Sequence, residues 1–138
     1  MVVTSKITVD SRGDCDIVGL TVPIAEALRE SGLSTGTVTV FVTGTTAAVS
    51  VMEMEGGLLK DYAAFWERAA PQDMEYDHHL GGKEDNGHAH VRAMTLGPSL
   101  VIPFIEARLT LGTWQHIILV DFDTRPRSRE VVLQIMGE

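Results

Sequence analysis

Thr113-Trp-Gln-His-Ile-Ile-Leu-Val-Asp-Phe122, the turn Thr124-Arg-Pro126 and Glu130-Val-Val-Leu-Gln-Ile-Met136 together decide the fold class. The first segment holds a continuous apolar run, Ile117-Ile-Leu-Val120, as a strand with a buried stretch does. The last alternates, with Val131, Leu133 and Ile135 on one face. Between them, Thr124-Arg-Pro126 turns the chain. The C-terminal part is therefore strand, turn, strand.

The same signals recur toward the N-terminus. Val3, Ile7 and Val9 share one face of an alternating segment, so residues 2–9 read as a strand that Ser11-Arg-Gly-Asp14 turns. Thr37-Val-Thr-Val-Phe-Val42 and Thr46–Glu53 are two more strands, joined near Thr43-Gly44, and Ser99-Leu-Val-Ile-Pro103 is another. Three helices interrupt them. The first has Thr21 as N-cap, Pro23 in its first turn, Ile24, Ala27 and Leu28 on one side, and Gly32 as terminator.

The second helix, residues 58–69, follows Gly56-Gly57 and carries Leu58, Tyr62 and Trp66 at i, i+4, i+8, widened by Leu59 and Phe65; Pro71 closes it. The third spans residues 88–96, with Asn86 or Gly87 at its cap and Gly97 at its end. Gln72–Gly87 is polar, acidic and without an apolar period, a long loop of the kind that carries function. Six or seven strands and three helices predict a mainly β (α+β) chain, 1–138 forming a single-domain β-sandwich with two or three flanking helices.

The bulk numbers agree. A chain of 138 residues, 44% hydrophobic and 22% charged, has the balance of a soluble globular domain with a sizeable core. A formal charge of −8 argues against nucleic acid or an anionic membrane surface as partner. No apolar run approaches the length of a membrane span, and the first residues do not open a signal peptide, so the cytoplasm is the expected compartment. The only cysteine, Cys15, cannot form an intrachain disulfide. Asp14 and Asp16 beside it oppose a thiolate.

Chemistry concentrates between Asn86 and Arg129, with Asn86-Gly-His-Ala-His90, Gly112-Thr-Trp-Gln115 and Arg125-Pro-Arg-Ser-Arg129. All five histidines (His78, His79, His88, His90, His116) lie between 78 and 116, and neutral imidazole is the commonest metal ligand. On a helix, His88 and His90 are splayed by about 200°, so only one can enter a given site. Arg125, Arg127 and Arg129 alternate around Pro126. They suit either a bidentate anion clamp or a salt-bridged edge with Asp121, Asp123 and Glu130. Glu53, at a strand end, fits a ligand, a general base or a solvated carboxylate. Trp114-Gln115 reads as a core tryptophan beside a hydrogen-bonded amide. No P-loop, dinucleotide fingerprint or nucleophile elbow occurs.

Taken in order, Thr45-Thr-Ala-Ala48, Glu53, Asp61, Pro71, Tyr76-x-His78, Asn86-x-His-Ala-His90, Gly97, Leu111-Gly-Thr-Trp-Gln115, Pro126-Arg-x-Arg129 and Gly137-Glu138 resemble the YjbQ-type family, often labelled secondary thiamine-phosphate synthase. The resemblance runs from about Val38 to Glu138. It implies a compact β-sandwich with flanking helices, a homotrimer, and a pocket where histidines converge on a divalent metal, zinc or magnesium. It further implies metal ligands His78 and His90, with His88 or His79 as substitute for a third. Glu53 and Gln115 would be catalytic, and Arg127, Arg129, Trp114 and Asn86 would bind a small phosphate-containing ligand. Where the family has a histidine before Thr-Thr, this chain has Gly44. The activity implied joins a pyrimidine pyrophosphate to a thiazole phosphate; the alternative is a non-catalytic trimeric ligand-binding protein with a vestigial metal site.

Overall fold

The computed structural model describes residues 1–82 and 84–138. Its strands are β1 (Val2–Ser11), β2 (Asp16–Gly19), β3 (Gly36–Val42), β4 (Ala47–Met52), β5 (Ser99–Ile105), β6 (Arg108–Leu109), β7 (His116–Asp121) and β8 (Arg127–Gly137). The helices are α1 (Thr21–Ser31), α2 (Gly56–Ala69) and α3 (Gly87–Leu96), with a single 3-10 turn at Asp77–His79. Five strands form one antiparallel sheet in the order β1-β8-β3-β5-β6, and three form a second in the order β2-β7-β4.

The two sheets face each other across the larger core. Val38, Val40, Val42, Phe104, Leu133 and Ile135 come from the first sheet, Ile117 and Leu119 from the second, and Ile24 and Leu28 from α1. The opposite face of β7 supplies Ile118 and Val120 to a smaller core, with Trp66 of α2, Ala89 and Ala93 of α3, and Phe122. This strand is buried on both sides, which is why its sequence is a continuous apolar run instead of an alternation. The β-sandwich with flanking helices is thus built around β7.

Several local expectations shift. The strand expected over Thr113–Phe122 is His116–Asp121, because Thr113 and Trp114 sit in a turn. The strand expected to reach Glu53 ends at Met52. Gly56-Gly57 opens α2 and does not precede it: the Glu55 carboxylate accepts hydrogen bonds from the Gly57 and Leu58 amides, at 2.7 and 2.8 Å, and caps the helix. Of the apolar stripe on α2 only Trp66 is fully buried; Phe65 and Leu58 stay exposed. Two strands were not foreseen. β2 and β6 hold four and two residues, too few for a period to register. The long loop after α2 is present apart from the 3-10 turn, and its residue Lys83 lies outside the described residues.

Thr21 is the first residue of α1 and not its cap, since Leu20 holds the cap position. Its hydroxyl instead accepts the Ile117 amide at 2.9 Å, tying α1 to the start of β7. Thr21→Val keeps the shape and leaves that amide unpaired. The expected loss is about 1–2 kcal/mol in a urea melt; an unchanged midpoint would show the amide to be otherwise satisfied.

Candidate functional site

The odd-numbered side chains of β7 and β8 point into the space between the sheets, and the pattern continues past the apolar core into Asp121, Asp123, Arg127 and Arg129. Charge therefore caps one end of the sandwich interior. Arg129 donates to the fully buried Asp121 carboxylate through Nε at 2.7 Å and Nη2 at 2.8 Å. Ser11 and the Asp123 amide also donate to Asp121. Asp123 is a second buried hub. It accepts from Thr46 Oγ1 at 2.8 Å, the Thr124 amide at 2.7 Å and Asn86 Nδ2 at 3.3 Å, and pairs with Arg127 Nη2 at 2.9 Å.

Both carboxyls lie below the usual aspartate range. Burial alone pushes them up, but for Asp121 the Arg129 and Ser11 hydrogen bonds outweigh it, and for Asp123 the Thr124, Thr46 and Asn86 hydrogen bonds do. Either reading of the arginines was open from the sequence. The salt-bridged one describes Arg127 and Arg129, through Asp123 and Asp121; Glu130 pairs instead with Lys6.

Above this ionic layer lies a cleft of about 320 Å³, lined by Gly44, Thr45, Thr46, His78, Glu84, Asn86, His90, Asp123 and the three arginines. His78 comes from the 3-10 turn and His90 from α3, and their ring centroids are 4.5 Å apart. Burial, and then the neighbouring His78, hold His90 below its ordinary range, so it presents a neutral imidazole at pH 7. The loop bearing His78 is anchored on both sides. Tyr76 donates its hydroxyl to the Pro71 carbonyl at 2.7 Å, and His79 Nε2 accepts the Gly87 amide at 2.9 Å. That bond makes His79 a cap for α3.

Some donors and acceptors in the cleft are left over. Arg127 Nε and Asn86 Oδ1 are buried without a hydrogen-bond partner among the described residues. Arg125 is exposed at the rim and pairs with no carboxylate among the described residues. Arg129 Nη1 borders Gly44, where an added Cβ would come within 3.0 Å of it.

The other candidate residues fall elsewhere. His88 is buried on the core side of α3, with Nδ1 unpartnered; burial first, then Arg92, hold it below the ordinary histidine range. It does not line the cleft, as the helical splay from His90 requires. Glu53, Trp114 and Gln115 sit at the far end of the three-stranded sheet, where Met52 pairs with His116. Trp114 is 69% exposed, contrary to the core reading. The Gln115 amide oxygen accepts the Gly112 amide at 2.8 Å and closes its own loop. Cys15 is partly buried, and burial, more than Asp16, pushes its thiol up.

Residues 5–138 match the family described as UPF0047 protein YjbQ-like. The chain belongs to that family. A UPF0047 protein of Methanothermobacter thermautotrophicus is 30% identical over 99% of this chain and 94% of the relative. One of Archaeoglobus fulgidus is 39% identical over 73% of this chain and 78% of the relative. Among solved structures, a YjbQ-like protein of unknown function from Sulfolobus solfataricus P2 superposes with a TM-score of 0.94 at 32% identity, covering 100% of this chain and 99% of the other. A hypothetical protein from Aeropyrum pernix K1 gives 0.89 at 35% identity over 98% of each. The YjbQ-like fold is therefore shared end to end.

Within this YjbQ-like frame the test for a metal centre is geometric. Two imidazoles bound to one ion at ~2.0 Å and at right to tetrahedral angles set their centroids roughly 4.5–5.2 Å apart. The His78–His90 spacing of 4.5 Å lies at the short end of that range, a distance that plain ring packing also gives. A third ligand of the usual kinds is missing: among the described residues no group of three His, Cys, Asp or Glu side chains could hold an ion. Asn86, whose Oδ1 has no partner among the described residues, lines the same cleft.

Sequence reading offered Asp123 as a salt-bridge partner of the arginines, which it is for Arg127, but passed over Thr46 and Glu84 as cleft residues.

Gly44 adopts φ +119°, a conformation L-residues rarely take, and its missing Cβ leaves room against Arg129. Gly44→His is therefore expected to lose about 1–3 kcal/mol and not simply to rebuild a ligand. That loss would appear in a thermal melt as a drop of roughly 3–10 °C. An unchanged melt with added metal uptake would show the loop to be free to rearrange.

Proposed function

We propose that residues 1–138 work as one YjbQ-like domain whose cleft binds a small phosphate-bearing molecule, nominally a thiamine-phosphate-synthase-like substrate. The observation that supports it most is the surplus of guanidinium donors: among the described residues Arg127 Nε has no partner, and Arg129 Nη1 lies beside Gly44. Guanidinium groups fit phosphate oxygens in number and geometry. Asn86 Oδ1 offers an acceptor for a donor on the same ligand.

In this reading His78 and His90, with Asn86, would hold a divalent ion, and such an ion would supply positive charge to a departing pyrophosphate. The chain's own groups do the rest. The arginines bind and orient the phosphates, and Asp121 and Asp123 hold the guanidinium planes in place. Transfer of a pyrimidine methylene from pyrophosphate oxygen to a thiazole nitrogen needs no protein nucleophile. Glu53 and Gln115 would enter as acid/base and positioning groups, and the protein would act as a homotrimer.

The second reading, a ligand-binding protein without turnover, is favoured by Gly44 and by the absence of a third conventional metal ligand among the described residues. Titration with inorganic pyrophosphate, with and without zinc or magnesium, tests both. Saturable binding that tightens with about one divalent ion per chain is expected for the enzyme. Binding indifferent to metal supports the binder, and no binding at all removes the phosphate reading.

A further inference from the structure

We infer that a second copy of this chain completes the site, its Trp114-Gln115 loop seating in an apolar niche beside the cleft and its Glu53 meeting Arg125. The inference rests on the reading of the cleft as a phosphate site. Within one chain the two groups of candidate residues cannot meet. Thr46, just before β4, is bonded to Asp123, whereas Met52, at the other end of β4, pairs with His116. Six residues of strand put roughly 17–20 Å between these ends.

Each end carries what the other lacks. Trp114 stands 69% exposed on a loop that the Gln115–Gly112 hydrogen bond closes, so its indole is presented to solvent. Exposed tryptophans on ordered loops are the side chains that dominate protein interfaces. At the opposite end, Ala47, Ala93, Met94 and Pro98 line a mainly apolar niche of about 270 Å³. It shares Gly44 and Thr45 with the histidine and arginine cleft. An apolar cavity of about 150 Å³ holds a benzene ring, so this niche has room for an indole. Charges match too: Glu53 and Arg125 are both exposed and neither has an ion-pair partner among the described residues.

A contact between unlike ends is heterologous and closes into a ring when the rotation permits. Every cleft in such a ring receives one loop. Gln115 and Glu53 then stand at the cleft mouth, where an isolated chain places neither.

The test is a cysteine pair, Thr45→Cys with Trp114→Cys, in a Cys15→Ala background under mild oxidation. A disulfide needs Cα atoms within about 7 Å, so a bond between these positions has to join two chains. Most of the double variant is expected in reducible multimer bands, with neither single variant doing so. A monomer band alone, or a dimer formed by Trp114→Cys by itself, overturns the inference. Light scattering on the unaltered chain is the second measurement: a multimer that Trp114→Ala dissociates supports it, and a monomer refutes it. Inorganic pyrophosphate titrated into the same samples separates the two ideas. Crosslinking without pyrophosphate binding sinks the phosphate reading alone, and pyrophosphate binding without crosslinking sinks the shared site alone.

Discussion

Arg129→Met is expected to cost about 3–5 kcal/mol of folding stability, the range seen when one member of a buried ion pair is removed. Asp121 is fully buried and receives two hydrogen bonds from Arg129, at 2.7 and 2.8 Å. Without the guanidinium, a carboxylate is left in the interior with only Ser11 and one amide for company. The loss would be read as a fall in the urea midpoint at unchanged slope. Removing both partners, as Asp121→Leu with Arg129→Met, is expected to cost less than the single change, because no uncompensated charge remains. A double variant weaker than either single would show that the layer matters through shape and not through charge.

The same layer predicts acid sensitivity. Asp121 and Asp123 are held below their ordinary range in the fold, so the unfolded chain takes up protons first as pH falls. Their contribution is complete above the unfolded aspartate value of about 4 and is lost as pH drops through the lower folded values. Arg129→Met should flatten that part of the stability profile.

Arg127→Met is expected to weaken inorganic pyrophosphate binding about 10- to 150-fold, the equivalent of one charged hydrogen-bonding group at 1.5–3 kcal/mol. Arg127 spends Nη2 on Asp123 and keeps a buried Nε without a partner, so it is anchored and still has a donor to offer. An anchored guanidinium loses little freedom on binding a ligand. Arg125 is exposed and unanchored, and Arg125→Ala should therefore cost less affinity and almost no stability. Equal effects from the two would mean that only long-range charge is sensed, which a shallow dependence on residue and a steep one on salt would expose.

Much of this was legible in residue order. Ile117-Ile-Leu-Val120 and the alternation of Val131, Leu133 and Ile135 specify strands because side-chain direction has a period of two and water selects the face. Asn86 and Gly97 bracket α3, and the helical period alone separates His88 from His90. These are local properties, determined within a few residues by backbone geometry and apolar spacing. Boundaries failed where a polar side chain bonded the backbone outside any period: Thr21 bonds the distant Ile117, and Trp114 leaves its strand for a local turn that Gln115 closes on Gly112.

Which residues share a site was not local at all. His78 meets His90, and Arg129 meets Asp121 and Thr46, only because β7, β8 and α3 are packed together. The same packing sends Glu53 and Gln115 to the other end of the sheet. Sequence by itself determined the longer strands, the helices and the list of chemical groups. Tertiary structure decided which guanidinium atoms are spent on buried carboxylates and which are not, since pairing between distant segments depends on their docking and leaves no periodic trace in either one.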